Sequence, residues 1–240
     1  MTSVHKLDSV LAIGAHPDDI EILCGGTLAK YAELGVDVSM AVMTDGALGH
    51  MVIPPDELAE IRHEEAAKSA DIIGADFYWL GFKDASLIND LEIRMTLVEL
   101  IRKTKPDMII THSPNDYHPD HRGTSDLVFG ATFLSGLKHV ETESSYHEGV
   151  QPITYMDTIN SSNFIPTEYV DISNVIQTKI KMIRSFESQV KWLKDHDDVD
   201  FLDMIQVQSK ARGYQCGVEY AEAFKLENVW PRSRTYRLLP

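Results

Sequence analysis

Two clusters of histidine and aspartate residues stand about a hundred residues apart, and each one follows a short apolar run. The first, HPDD at residues 16–19, follows the run 10–15, and the second, HPDH at residues 118–121, follows the run 108–110. Such runs are typical of buried strands, so each cluster is expected at a strand exit. Imidazole and carboxylate groups that meet from two strand exits can bind a divalent metal ion and provide acid–base groups beside it. The two clusters together therefore predict a metal-dependent hydrolase.

His16, Asp19 and His121 are the predicted metal ligands. A catalytic zinc ion usually takes three protein ligands and keeps a position open for water, whose pKa it lowers from about 15.7 to near 7. Asp18 stands beside the ligands and is expected to accept the proton of that water as a general base. Two histidines and one carboxylate also suit Fe²⁺ or Co²⁺, so Zn²⁺ is the leading prediction among three.

The remaining residues of the second cluster have predicted supporting roles. His118 is expected to donate a hydrogen bond to the developing oxyanion, and Asp120 to orient His118 or His121. Each cluster also has an ordinary structural interpretation. Asp18 could cap a helix with an acidic residue behind it, and the second cluster could be a polar loop. Their matching positions at strand exits favour the metal site over both.

Short apolar runs alternate with longer amphipathic segments through the first 140 residues. The predicted strands are 9–15, 37–43, 76–82 and 107–111, and the predicted helices are 20–34, 55–73, 91–104 and 122–137. This alternation predicts an α/β fold with a mostly parallel sheet and helices on both faces. Ligands bind beyond the carboxyl ends of such strands, which is where both clusters fall.

The C-terminal part has a different pattern and is predicted to form an α+β extension that completes the same domain, so that residues 1–240 are one unit. Its predicted strands are 153–159, 168–172 and 220–226, and its predicted helices are 175–194 and 200–211. We expect this extension to form one wall of the site.

Composition limits the classes of partner. The net charge of −15 disfavours nucleic-acid binding, which needs clustered Lys and Arg. No apolar run is long enough for a transmembrane helix, and the first eight residues do not resemble a signal peptide, so a cytoplasmic protein without membrane attachment is expected. Cys24 and Cys216 follow no paired spacing and are predicted to be reduced and buried. A homo-oligomer is compatible with the sequence.

At these residues the sequence resembles the PIG-L/LmbE-like family of zinc-dependent N-acetylglucosaminyl deacetylases. The resemblance extends over nearly the whole chain and is carried by these segments: AHPDD at 15–19 with Glu21, CGGT at 24–27, TDG at 44–46 with Gly49, RHEEA at 62–66, LGF at 80–82 with Asp84, HPDHR at 118–122, SQ at 188–189 and YAEAF at 220–224. The first and the HPDHR segments are highly specific together, whereas the others are weak singly.

The resemblance implies a Rossmann-like deacetylase fold, zinc on His16, Asp19 and His121, and hydrolysis of the N-acetyl group of an amino sugar. It also implies that Asp18 acts as general base and general acid and that His118 stabilises the oxyanion.

Arg62, His50 and Asp45 are the predicted substrate-binding residues. The resemblance places Arg62 against the sugar, and the alternative is a salt bridge on a helix surface. His50 is expected either to line the pocket or to cap its loop. Ala47 stands where family members often carry Glu, and Glu187 where a His is common, so the substrate subclass stays open.

The leading functional prediction is a zinc-dependent de-N-acetylase acting on a small molecule or glycan that contains N-acetylglucosamine (GlcNAc). One alternative is an amidase for another amide, such as a thiol conjugate or a carbamoyl group, which would use the same metal and base. Another is a sugar- or nucleotide-binding module without catalysis. No G-x-G-x-x-G follows the first strand, which argues against dinucleotide binding.

Overall fold

A seven-stranded sheet forms the centre of the computed structural model, which describes residues 7–240. Its strands are β1 (Ser9–Gly14), β2 (Asp37–Thr44), β3 (Asp76–Phe82), β4 (Met108–Thr111), β5 (Ile153–Met156), β6 (Glu168–Asp171) and β7 (Ala221–Leu226). The helices are α1 (Asp19–Glu33), α2 (Pro55–Asp71), α3 (Leu91–Thr104), α4 (Pro119–Ser135), α5 (Ile176–Arg184), α6 (Glu187–Asp197) and α7 (Phe201–Cys216).

The order of the strands across the sheet is β3-β2-β1-β4-β5-β7-β6. Strands β1 to β5 pair in parallel, and β7 pairs antiparallel with both β5 and β6. The C-terminal strands therefore extend the same sheet, and the predicted mostly parallel α/β fold is confirmed. Strands β1 and β4, which precede the two clusters, are direct neighbours, with Ile13 opposite Thr111.

Apolar side chains cover both faces of the sheet. In β1, Val10 and Ala12 belong to one hydrophobic cluster, whereas Leu11 and Ile13 belong to the other. This division follows from the alternation of side chains along a strand. Helices α1, α5 and α7 contribute to the first cluster, and α3 and α4 to the second. The two layers hold β1 and β4 rigidly and so fix the positions of the residues that follow them.

Helix α4 begins three residues before the predicted start at 122, and this difference matters for the site. His118 occupies the N-cap position, where its Nδ1 accepts a hydrogen bond from the Asp120 backbone N–H at 3.2 Å. Pro119 at N1 and the acidic Asp120 in the first turn favour a helix start there. As a result, Asp120 and His121 project from the first turn of a helix.

The predicted helix 175–194 is two helices, α5 and α6, separated at Ser185 and Phe186. Phe186 has φ −86° and ψ 60° and is fully buried. The Glu65 carboxylate accepts hydrogen bonds from the backbone N–H and the hydroxyl of Ser188, both at 2.7 Å. Burial of Phe186 and the contact with Glu65 explain the break, which directs the start of α6 towards the site.

Two smaller predictions are also wrong. The strand predicted over 153–159 ends at Met156, and Ile159 begins a short 3-10 turn. Cys216, predicted to be buried, is exposed at the end of α7, whereas Cys24 is buried as expected, and both are free thiols. Asp157 still donates its backbone N–H to the carbonyl of Ala223 in β7 at 3.1 Å, whereas the Thr158 N–H donates to Asp157 Oδ1 and the Thr158 carbonyl accepts from Ser161 in the turn.

Within residues 7–240 no helix combines the length and the apolar character needed to cross a membrane. Residues 1–6, which entered the prediction about a signal peptide, lie outside the described part of the chain.

A buried ion pair links α1, α5 and β7. Lys179 Nζ lies 2.6 Å from Glu222 Oε1 and donates to the carbonyl of Ile22 at 2.7 Å. Glu222 also accepts from the backbone N–H groups of Gly26 and Thr27, at 2.9 and 2.7 Å. The pair therefore anchors the helix whose first residue is a predicted metal ligand.

Replacing Lys179 with methionine should lower the free energy of unfolding by about 3–5 kcal/mol, because it leaves the Glu222 charge buried without its counterion. Urea denaturation of the purified protein measures this loss. Lys194→Met is the matched control, since Lys194 forms its ion pair with Asp198 at the surface, where loss of the pair should leave the free energy of unfolding nearly unchanged. Equal losses in the two variants would contradict the interpretation.

Candidate metal centre and active site

The two histidine and aspartate clusters meet beyond the carboxyl ends of β1 and β4. The rings of His16 and His121 are 5.4 Å apart between centroids, and those of His16 and His118 are 4.7 Å apart. One ring nitrogen from each of these three histidines can be chosen such that all lie within 4.8 Å of one another. The structure thus brings both clusters within joint coordinating reach of one ion.

Asp19 lies at the centre of this group. Its Oδ2 is 3.3 Å from His16 Nδ1 and its Oδ1 is 3.2 Å from His121 Nε2, so all three predicted ligands are in contact. His112, which sequence reasoning missed, places its Nε2 3.2 Å from Asp19 Oδ2. Burial alone would raise the pKa of Asp19, but the His121 and His112 imidazoles hold it well below its ordinary value. Asp19 is therefore an ionised carboxylate among imidazoles.

Carboxylates behind the two histidine ligands select which nitrogen faces Asp19. His121 Nδ1 lies 3.0 Å from Asp116 Oδ2, which leaves Nε2 on the side of Asp19. His16 has the opposite arrangement, because its Nε2 lies 3.2 Å from Asp84 Oδ1 and its Nδ1 faces Asp19. Histidines that bind metals usually donate their other ring N–H to a carboxylate in this way.

Asp120 was predicted to orient His118 or His121; its backbone N–H does hold His118 Nδ1, but its carboxylate lies elsewhere. Its Oδ2 accepts from the Ala85 backbone N–H at 2.8 Å and lies 3.3 Å from His16 Nε2. Because α4 starts early, Asp120 stands in its first turn and reaches the loop after β3 instead of its neighbours in sequence. The carboxylate beside His121 is that of Asp116. Its position two residues before His118 is the sequence signal that could have indicated this contact.

Asp18 is held in an unusual backbone conformation, and its carboxylate takes no part in capping the helix that follows. Its φ of 97° lies in the left-handed region, where a residue with a side chain is strained, as is common at functional sites. It occupies the N-cap position of α1, yet its side chain makes no capping hydrogen bond. Burial raises the pKa of Asp18 to about 7, although the Arg62 guanidinium acts in the opposite direction. A carboxyl group whose pKa lies near neutral pH is suited to general acid–base catalysis.

Arg62 is buried in the wall of the site and does not form the surface salt bridge considered as the alternative. It donates to the carbonyl of Gly46 at 3.0 Å, to the carbonyl of Pro17, and to Asp18 Oδ2 at 3.1 Å. Gly46 has φ +58°, and a Cβ there would lie 2.6 Å from Arg62 Nη1, so glycine is required for this contact. Arg62 thus supports Asp18 and the loop after β2.

His118 presents one nitrogen towards the open side of the site. Because its Nδ1 accepts the N-cap hydrogen bond, a neutral imidazole carries its proton on Nε2. Burial lowers the pKa of His118, which favours the neutral form. The residue is therefore arranged as a hydrogen-bond donor.

The cavity above these groups, called the reaction cavity here, has a volume of about 330 Å³. It is lined at its base by His16, Asp18, Asp19, Arg62, Asp84, His118 and His121, and at its rim by Leu48, Gly49, Ala85, Tyr117, Ile159 and Gln189. Gln189 is only 7% exposed, and its Nε2 has just a long contact of 3.4 Å with the Ser188 hydroxyl. It follows the break between α5 and α6, which sequence periodicity did not reveal.

The structure places two of the predicted substrate-binding residues, Asp45 and His50, outside the reaction cavity. Asp45 accepts from the backbone N–H groups of Ala47 and Asp84 and so joins the loops after β2 and β3. His50 Nδ1 accepts from the N–H groups of Val52 and Ile53, both at 3.0 Å. His50 therefore caps its loop, which was the alternative prediction, and the local turn satisfies both side chains.

Comparison with known proteins relates the chain to deacetylases and an amidase. Residues 11–132 match the model of the PIG-L family, described as GlcNAc-PI de-N-acetylase. A diacetylchitobiose deacetylase from Thermococcus kodakarensis is 34% identical over 77% of this chain and 71% of its own. A mycothiol S-conjugate amidase from Streptomyces coelicolor is 26% identical over 84% of this chain and 79% of its own.

Among solved structures, the N,N'-diacetylchitobiose deacetylase from Pyrococcus horikoshii is similar, with a TM-score of 0.81 and 29% identity over 92% of this chain and 84% of that one. The family model spans half of the described sequence and includes both clusters of the site. The chain is a hydrolytic enzyme that belongs to the PIG-L (GlcNAc-PI de-N-acetylase) family.

Proposed function

We propose that this protein is a metal-dependent de-N-acetylase that releases acetate from a small molecule or glycan containing N-acetylglucosamine. The observation that carries the proposal is the convergence of His16, Asp19 and His121 beside a buried, uncapped Asp18. The deacetylase names of the related proteins support the same reaction class.

The residues around Asp19 have the chemistry of a metal-binding site. His16 Nδ1 and His121 Nε2 both face the Asp19 carboxylate. The other ring nitrogen of each histidine lies beside a further carboxylate, that of Asp84 or Asp116. When bound, a zinc ion supplies a Lewis acid that polarises an amide carbonyl and makes water nucleophilic near pH 7. Two imidazoles and a carboxylate suit Zn²⁺, and Fe²⁺ or Co²⁺ also accept this donor set.

Asp18 and His118 divide the proton transfer and the charge stabilisation. As water attacks the acetyl carbon, the Asp18 carboxylate accepts a proton from it, while His118 Nε2–H donates a hydrogen bond to the carbonyl oxygen as negative charge develops there. Asp18, now protonated, then donates its proton to the sugar nitrogen as the C–N bond breaks. The products are acetate and a free amine. Arg62 holds Asp18 in place through its 3.1 Å contact.

The orienting role of Asp116 gives a measurable expectation. Asp116→Asn should weaken Zn²⁺ binding by about 10–100-fold, because the carboxylate beside His121 Nδ1 is lost while the ligand itself remains. Competition with a chelating dye measures the affinity without any assay of activity. Asp126→Asn, on the exposed side of α4, is the matched control and should bind Zn²⁺ like the parent protein. An unchanged affinity in Asp116→Asn would remove Asp116 from the site.

Acetate release tests the reaction itself. We expect the Zn²⁺-loaded protein to release acetate from GlcNAc, its glycosides and diacetylchitobiose, with turnover lost after chelation and restored by Zn²⁺. A metal-loaded, folded protein that releases acetate from none of these substrates would refute the de-N-acetylase proposal.

A second candidate is an amidase for a different amide, and the similarity to a mycothiol S-conjugate amidase over most of both chains favours it. The roles of Asp18 and His118 would be the same, because both act on the atoms of the amide bond itself and not on the rest of the acyl chain. Parallel assays of GlcNAc derivatives that carry acetyl and larger acyl groups distinguish the two candidates by their kcat/KM ratios.

A further inference from the structure

A second cavity, of about 540 Å³, lies between the loop after β2 and helices α2 and α6. The apolar, aromatic and hydroxyl side chains that line this side cavity are those of His50, Val52, Ile53, Ile61, Trp192 and Ser188, and four charged residues complete the lining. None of these residues has a role in the reaction described above.

The side cavity and the reaction cavity are lined by neighbouring residues of the same two segments, the loop after β2 and helix α6. Leu48 and Gly49 line the reaction cavity, and the residues that follow them, from His50 to Ile53, line the side cavity. On α6, Gln189 lines the reaction cavity, whereas Ser188 and Trp192 line the other. A molecule bound by its amide in the reaction cavity therefore has this second space beside it.

The aromatic part of the side cavity is a stack between its two walls. The His50 and Trp192 rings lie 4.3 Å apart between centroids, which joins the loop after β2 to α6. Val52 is 78% exposed, and the neighbouring Met51 is 79% exposed. Large exposed apolar side chains beside a cavity are typical of a binding surface.

The charged residues at the side cavity are mostly paired within the protein. Glu65 is bound by the N–H and hydroxyl of Ser188, and Lys191 pairs with Asp195. Three of the four charged lining residues, Glu65, Glu187 and Asp195, are acidic and only Lys191 is basic, so the lining is net acidic in a chain whose net charge is −15. A ligand would find few free polar partners here, and an anion would be repelled, so the lining suits a neutral, apolar group.

We propose that the side cavity is a subsite for a neutral apolar group attached to the amino sugar of the substrate. The proposal rests on the proposed function, which places the sugar amide in the reaction cavity. It assigns Val52 and Trp192 as specificity-determining residues and defines the substrate class as GlcNAc linked to an apolar aglycone. A second sugar is the competing occupant.

The test is a series of methyl, butyl and hexyl N-acetylglucosaminides. KM for acetate release should fall by about fourfold for each methylene that enters the side cavity. Diacetylchitobiose, which offers a polar second unit, should have a higher KM than the hexyl glycoside. A KM that does not change with chain length, or a lower KM for diacetylchitobiose, would overturn the proposal.

Substitutions in the lining of the side cavity test whether the dependence of KM on chain length arises there. Val52→Asp puts a charge on the exposed lining of the side cavity and should abolish the dependence of KM on chain length. Val207→Asp is the matched control, because Val207 is 57% exposed on α7, away from both cavities. The control should keep the full dependence. Trp192→Ala should also reduce the dependence of KM on chain length, so that the conclusion does not depend on one variant. If Val52→Asp and Trp192→Ala both keep the parental dependence, the proposal fails.

Direct binding separates this proposal from the proposed function. If the Zn²⁺-loaded protein turns over none of the glycosides, the de-N-acetylase proposal fails, and isothermal titration calorimetry of the same glycosides then decides the subsite. A Kd that falls with chain length in the parent protein and not in Val52→Asp supports it. A Kd that is independent of chain length, or the absence of binding, overturns it.

Discussion

Asp18→Asn should lower kcat/KM for amide hydrolysis by roughly 10³-fold, because an amide cannot accept the proton of the attacking water. Asparagine has nearly the same shape as aspartate and tolerates the left-handed backbone, so the strained turn before α1 should persist. The measurement is acetate release by the Zn²⁺-loaded variant at saturating metal. The metal content should equal that of the parent protein, since the Asp18 carboxylate is not among the predicted ligands.

The matched control for this substitution is Asp126→Asn, which changes the same group on the exposed side of α4 and should leave kcat/KM unchanged. If Asp18→Asn keeps more than about a tenth of the parental kcat/KM, the loss is smaller than the usual loss on removal of a general base. Another group would then accept the proton. A loss of metal together with activity would instead make Asp18 a ligand.

Asp19→Ala should weaken Zn²⁺ binding by more than about 100-fold, which is the upper limit expected when an orienting carboxylate is removed. The substitution should also abolish turnover. Both Asp19 oxygens face imidazole nitrogens, those of His16 and His112 on one side and that of His121 on the other. The substitution leaves three imidazoles around a cation without a negative ligand. Zinc per chain, measured after dialysis against a competing chelator, reports the loss independently of activity.

Asp126→Ala is the control for Asp19→Ala and should retain stoichiometric zinc. Thermal unfolding of both metal-free variants shows whether the fold persists. A stoichiometric zinc content in folded Asp19→Ala would indicate that the three histidines 16, 118 and 121, whose nitrogens lie within 4.8 Å of one another, hold the ion without the carboxylate.

The sequence by itself was sufficient for the architecture and for the general place of the site. Strand and helix periodicity, the prolines at helix starts and the glycines after helix ends are local signals, so β3 and α3 were predicted to the residue. Because parallel strands share one carboxyl edge, clusters after β1 and β4 could be expected to converge there. His16, Asp18, Asp19, His118 and His121 could therefore be predicted to meet.

The tertiary structure decided which side chain each of these residues contacts. Asp116 and not Asp120 stands beside His121, Arg62 turns inward to Asp18, and Gln189 reaches the reaction cavity after a break at Phe186. These contacts depend on where α4 and α6 begin and on how the loops after β2 and β3 pack. Such positions are set by burial and by hydrogen bonds between residues distant in sequence, which no local pattern of residues contains.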